Sequence, residues 1–275
     1  MPLIAGIELP KHLNQRSAAI KRNKSLKKAF NFQLSQPSGQ LSALVQGIWS
    51  ASVSQSEPIV KPLYCDAGSG IIFNTFGDLK VGNEVLSEGV IMLPINKQAE
   101  DIVLASGAKL AGIRFHPAIG FGVLGQHYDK PTLLLPEQDN QYCLYQLYSD
   151  LRRQKDNAKK IEVMYLWAEK YLNVSNVIPA SLEKALECFE QDETPGQLSE
   201  SNDLSQRQIE RIFKLWLGMT PKHYQRILRI KKAIYFLRLN KNVSLADVSQ
   251  QFGFSDQAHM TREFRTIACI TPGQL

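Results

Sequence analysis

Arg207, Glu210 and Arg211 stand at i, i+3 and i+4, and Lys214 follows one turn after Glu210. On a helix that spacing brings the first three side chains to one side. Ile209, Ile212, Phe213 and Trp216 recur at helical spacing and form the buried face, which leaves Arg207, Gln208, Glu210, Arg211 and Lys214 outside. A guanidinium is a planar fork of donors that grips a phosphate, or a guanine edge through two hydrogen bonds. A carboxylate can accept from cytosine N4. A solvated charged face with an internal Glu–Arg pair is the plainer use of the same residues. About fifty residues later, Arg262 occupies the corresponding place in a second amphipathic segment, with Met260 and Phe264 turned inward.

These residues need helices with defined ends, and the flanking punctuation supplies them. Ser205-Gln-Arg-Gln208 is a capping box, and Thr194-Pro-Gly-Gln197 opens a preceding short helix that ends near Asp203. Two short helices joined by a tight turn, the second basic and well capped, form a helix-turn-helix pattern. The pattern recurs: Ser244-Leu-Ala-Asp247 starts a short helix, Gly253 makes the turn and Ser255 caps the next helix. Leu204-Ser205 corresponds to Phe254-Ser255, Arg211 to Arg262, Phe213 to Phe264, and Thr220-Pro221 to Thr271-Pro272. A duplication that keeps caps, core and arginine together is a stronger signal than either copy. Between the copies, Thr220-Pro221 caps a longer helix running to about Asn240, with Ile227, Ile230, Ala233, Ile234 and Leu237 as its apolar stripe. Its length of roughly 28 Å approaches the ~34 Å of one DNA turn, which suits two recognition helices in successive major grooves.

Charge follows the same division. The 275 residues carry a net charge of +6. Basic residues crowd Lys11–Lys28, acidic ones crowd Glu183–Asp203, and lysine and arginine dominate from Arg207 onward. Such a basic domain fits an anionic partner, although a solvated face has the same composition. Cys65, Cys143, Cys188 and Cys269 form no C-x-x-C pair, which speaks against a zinc module or disulfide framework. The N-terminal stretch lacks a signal peptide's order, and no apolar run reaches membrane-spanning length, so a cytoplasmic protein is expected.

Upstream, residues 1–30 read as a basic extension, either a loose arm or a short amphipathic helix from Ser17 to Phe30. Residues 31–175 read as a β-rich domain. Ile71–Asn74, Val90–Leu93, Asp101–Leu104 and Leu110–Phe115 are β-prone runs separated by turn residues, consistent with an antiparallel sandwich or small barrel. Two helical patterns near 137–172 follow, with Leu144, Leu147, Tyr148 and Leu151, then Ile161, Met164, Tyr165 and Ala168, as their stripes. The expected fold is α+β in two domains, the second an all-α domain over 178–275 with two helix-turn-helix units on a long linker helix.

Leu204–Phe213, Gly218-Met-Thr-Pro-Lys-His-Tyr224, Gly253-Phe-Ser-Asp256, Thr261–Arg265 and Thr271-Pro272 together resemble the AraC/XylS family of bacterial transcription regulators. Tyr64–Asn74 with Gly112–Pro117 resembles a cupin-like N-terminal domain of unassigned role found in many such regulators. The resemblance implies sequence-specific binding to double-stranded DNA. It places Arg207, Glu210 and Arg211, and then Gln257, Ala258, His259 and Arg262, as base readers. Ser205, Lys214, Lys222, Ser255 and Arg265 are expected at phosphates. A contact with RNA polymerase, a small-molecule effector and a homodimer through the N-terminal domain are the further partners it leaves open. Two departures stand out: Cys269 occupies a position where the family has glycine, and the last helix is short. Both imply a less firmly ended second unit, with the first dominating recognition.

An enzyme is the rival class: a cupin-like enzyme or metal-binding protein with an accessory DNA-binding domain. His12, His116, His127, His223 and His259 make no H-x-H or H-x-x-x-H pair, and no nucleophile elbow, P-loop or G-x-G-x-x-G occurs. No catalytic residue, metal ligand or cofactor is therefore assigned. Cys65 reads as a small buried side chain before a redox thiol, and His116 as a packing residue. Tyr64, Phe73, Phe76 and Phe115 either line an effector pocket or fill a core. Leu144–Leu172 either packs on the sheet or supplies a dimer contact.

Overall fold

A computed structural model of the chain describes residues 30–139, 141–172, 177–191 and 205–275. The basic extension and the helix expected after Thr194 lie outside these residues.

The β domain is built from β1 (Phe30–Ser35), β2 (Val45–Val53), β3 (Ile59–Leu63), β4 (Gly70–Phe76), β5 (Leu79–Val81), β6 (Glu84–Leu86), β7 (Gly89–Leu93), β8 (Glu100–Leu104), β9 (Lys109–Phe115) and β10 (Thr132–Leu133). They form two antiparallel sheets, ordered β1-β2-β9-β4-β7-β10 and β3-β8-β5-β6. Three helices belong to this domain: α1 (Ile119–Leu124), which precedes β10, then α2 (Leu144–Arg153) and α3 (Asn157–Tyr171). The larger sheet is covered on both faces. Ile71 and Phe73 of β4, with Ile113 and Phe115 of β9, meet Leu147, Leu151, Met164 and Trp167 of the helices. The alternate residues Ile72 and Leu110 face the smaller sheet, with Leu79 and Leu104. This period-2 division explains why β4 is buried along nearly its whole length. It also turns Arg114, which shares the Leu110 parity, toward the space between the sheets. Gly112 on that same face has no room for a Cβ, which would stand 2.5 Å from the Trp49 indole.

The α-helical domain comprises α4 (Ala180–Glu190), α5 (Gln206–Leu217), α6 (Pro221–Leu239), α7 (Leu245–Gln251) and α8 (Gln257–Ala268). Its core joins Leu182 and Phe189 of α4, Ile209 and Phe213 of α5, Tyr224, Ile227 and Ile234 of α6, and Met260 and Phe264 of α8. The apolar stripes expected on these helices face the core, with Ile212 and Trp216 of α5 only partly buried. Those of α2 and α3 are likewise occupied against the sheet.

Candidate nucleic-acid interface

The helices α5 and α8 are copies in local chemistry. Each spans twelve residues, and Gln206 and Gln257 set a constant offset of 51 (257 minus 206). Ser205 caps α5 by accepting from the Gln208 N–H, while the Gln208 side chain accepts from the Ser205 N–H at 2.8 Å, closing the expected box. The cap of α8 is not Ser255 but Asp256, whose Oδ1 accepts from the His259 N–H at 2.6 Å. That bond is the main reason its carboxyl lies below its ordinary range. Aspartate is as good a cap as serine, and its carboxylate also suits the positive end of the helix dipole. The Ser255 N–H and hydroxyl instead donate to His259 Nδ1, at 3.1 and 3.0 Å.

Both helices end in the left-handed region. Gly218 has φ 62 and bonds back to the Lys214 carbonyl, whereas Cys269 has φ 54. A non-glycine residue there costs about 1–2 kcal/mol. The Cys269 thiol donates to the Ala99 carbonyl at 3.4 Å. Between the two helices, α6 is capped by Thr220, starts on Pro221 and runs for 19 residues.

The charged face of α5 is open. Arg207, Glu210, Arg211 and Lys214 are exposed. Among the described residues, Glu210 takes only a 3.5 Å bond from Gln206, and Arg207, Arg211 and Lys214 have no partner. On α8, Gln257, Ala258, Arg262 and Arg265 are exposed together on one side. His259 is half-buried, with its ring edge-on to Phe254 and its Nε2 4.0 Å from Glu263. Lys222 is exposed in the first turn of α6, and Ser205 and Ser255 are exposed at the helix starts.

A bond absent from the sequence reading ties α8 to α6. Arg226 donates through Nε and Nη2 to the two Glu263 oxygens at 2.7 and 2.8 Å. The hydrogen bonds from Arg226 hold the Glu263 carboxyl below its ordinary range. The two residues lie 37 positions apart, so no local pattern announces them.

The β domain reaches both helix ends. The Ala99 N–H donates to the Ile267 carbonyl at 2.8 Å, and His223 Nε2 donates to the Lys97 carbonyl at 3.1 Å. Trp216 packs edge-on to Phe121, and His127 Nε2 donates to the Leu215 carbonyl at 2.6 Å. Cys65 is buried, its thiol donating to the Asn96 carbonyl, and burial pushes its pKa up to about 12, which leaves little reactive thiolate. His116 donates to the Ser42 carbonyl, and burial, then the charge of Lys231, pulls its pKa down. Phe73 and Phe115 are core residues, and Phe76 is exposed. The aromatic rings that do line an inter-sheet cavity, with Tyr64, are Phe30, Phe32 and Trp49. Among the described residues no group of His, Cys, Asp and Glu is arranged to hold a metal, and no helix is long and apolar enough to cross a membrane.

Residues 198–275 match a family model described as a helix-turn-helix domain. The HTH-type transcriptional regulator CdhR of Pseudomonas aeruginosa is 32% identical over 81 residues, covering 30% of this chain and 24% of its own. The HTH-type transcriptional activator RhaS of Escherichia coli is 37% identical over 68 residues, 25% of this chain and 24% of its own. The chain thus spans about a quarter of the length of the relatives it matches. The solved structure of ToxT from Vibrio cholerae aligns over 90% of this chain and 97% of its own, with TM-score 0.43 and 11% identity. An AraC-type regulator from Chromobacterium violaceum aligns over 34% of this chain and 87% of its own, with TM-score 0.32 and 28% identity.

Proposed function

We propose that this chain is a sequence-specific DNA-binding transcription regulator of the AraC/XylS type, acting in the cytoplasm and not as an enzyme. Its functional units are a basic extension over 1–30, a β-rich sensing or dimerisation domain over 31–175, and the DNA-binding domain over 178–275. The observation that carries this reading is the paired architecture of α5 and α8. They are two capped twelve-residue helices at a fixed offset, each with an exposed basic face and joined by one 19-residue helix.

The helices α5 and α8 enter successive major grooves on one face of the duplex. Arg207 and Arg211 donate to guanine O6 and N7, and Glu210 accepts from cytosine N4. On the second helix Gln257 pairs with adenine, Ala258 meets a thymine methyl and Arg262 reads guanine. His259 reads through Nε2, since Nδ1 is engaged by Ser255. Lys214, Lys222 and Arg265, with the helix starts at Ser205 and Ser255, hold phosphates and fix the register. Homodimerisation through the β domain and contact with RNA polymerase belong to the same reading, and sedimentation and a reconstituted transcription assay test them.

Genome-wide mapping of DNA bound by the full chain is the decisive experiment. A recurrent site with two half-elements about one turn apart is expected, and binding to it should weaken steeply with salt. Uniform occupancy without a shared site would overturn sequence-specific recognition.

A further inference from the structure

We propose that the cavity between the two sheets binds a short-chain, otherwise apolar monocarboxylate, held by Arg114. The assignment rests on the regulator reading only for its consequence, since it names the chemistry of an effector.

The cavity measures about 90 Å³. Its walls are mostly hydrocarbon and include the rings of Phe30, Phe32 and Trp49. Three charged side chains interrupt them: Lys61, Asp66 and Arg114. The Asp66–Arg114 pair is buried, each side chain 3% exposed. Arg114 donates through Nε to Asp66 Oδ2 at 3.0 Å and through Nη2 to Oδ1, which also accepts from the Gly68 N–H at 2.9 Å. Burial pushes the Asp66 carboxyl up, but the charge and hydrogen bonds of Arg114 outweigh it and hold the group ionised. Both Asp66 oxygens are therefore engaged, and Arg114 Nη1 is left without an acceptor. A buried donor without a partner is uncommon in a native protein, and a charged one more so.

Charge balance selects the acceptor. Two cations against one carboxylate leave one positive charge on the wall. Lys61 faces no acid there: its ammonium sits 5.2 Å from the Phe30 ring centroid, and desolvation pulls its pKa down. A carboxylate supplies both the missing acceptor for Nη1, in a charge-assisted bond, and the missing negative charge. The remainder of the ligand must be apolar to match the walls. Size sets the rest. The space is smaller than the ~150 Å³ cavity that takes a benzene ring, which favours a short aliphatic acid.

Occupancy has a route to the DNA-binding domain. Cys65 and Ala67, on either side of Asp66, belong to the core of that domain. Tyr64 carries Arg238 of α6 over its ring at 5.4 Å.

The test titrates the full chain with butyrate, isovalerate and hexanoate, each against its neutral amide. Trp49 in the cavity wall gives an emission signal, and calorimetry gives a second. At least one acid should bind saturably and at least about tenfold more tightly than its amide. Lys61→Met should weaken the acid several-fold, and Arg114→Met should abolish binding. Because Arg114→Met strands a buried carboxylate and can unfold the chain, Ala51→Leu serves as the second variant. It fills the cavity, leaves the charges in place, and should lose binding while keeping its circular dichroism. Equal affinity for acid and amide, no binding of any acid up to tens of millimolar, or undiminished binding in folded Ala51→Leu overturns the site. A gel shift on the same protein separates the two ideas. Lost DNA binding with acid binding intact sinks the regulator reading alone, and the converse sinks this site alone.

Discussion

The helices α5 and α8 share length, phase and buried face, yet they are held in different ways. The first is closed by its own residues, a reciprocal cap at Ser205 and Gln208 and a terminal Gly218 that takes its left-handed conformation without penalty, and its last turn also accepts a bond from His127 of the β domain. Among the described residues its arginines are uncommitted. The second has its side chains tied as well. Arg226 clamps Glu263 from the linker helix, Ser255 engages His259, and main-chain Ala99 of the β domain meets its last turn. Its terminus sits on Cys269, with a side chain where glycine would be relaxed. The two copies share the core and the caps, and they differ in how far their charged groups are engaged in support.

That contrast can be broken most directly at the arginines. Arg211→Ala should lower affinity for the cognate site by roughly 1–3 kcal/mol, and Arg262→Ala by less, in gel shifts at fixed salt. A larger loss at Arg262 reverses the ranking, and no loss at either removes both helices from the groove. Next in size, Arg226→Met should cost about 1–2 kcal/mol in thermal unfolding, because it strands a partly buried carboxylate. In a footprint, its protection should weaken over the half-element read by α8 and stay intact over the other.

The same pair gives the acid limb its shape. The folded pKa of Glu263 is depressed, so its contribution is present above the unfolded value of about 4.3 and is lost as pH falls through the folded value. Wild-type stability should therefore decline more steeply than that of Arg226→Met below about pH 4.3, and parallel acid limbs would count against the clamp. The smallest effect expected is a gain. Cys269→Gly relieves the left-handed strain but frees the unfolded chain and removes a thiol hydrogen bond, for a net stabilisation of about 0.5–1 kcal/mol. A lower Tm for this variant would show that the thiol contact with Ala99 outweighs the backbone strain.

What could be read from the sequence was local. The box at Ser205–Gln208, the Thr220-Pro221 start and the stripe from Ile227 to Leu237 each declare themselves within a turn or two, and the helices formed where expected. Ser255 and Asp256 are adjacent residues that can both cap, and choosing the first shifted the α8 boundary and blurred an otherwise constant offset. The strands β1 and β2 escaped notice for a different reason. In Val45–Val53 both faces are covered, so small and polar residues such as Ser50 and Ala51 are buried beside Ile48, and no alternation survives. Arg114 and Asp66 lie 48 residues apart, and Arg226 and Glu263 lie 37 apart. Pairings of that range depend on the fold and leave no periodic trace.

The linker helix α6 has a further consequence, angular in nature. One residue inserted into its 19 would lengthen it by only ~1.5 Å, yet would turn everything beyond it by ~100°. If α8 sits in a major groove as proposed, it would then face away from that groove while remaining almost at its proper distance. Seven inserted residues would nearly restore the facing, at a displacement of about two helical turns. On the proposed reading α6 would work less as a ruler than as a phase-setter, and the spacing tolerance of the DNA site would be governed by rotation before length.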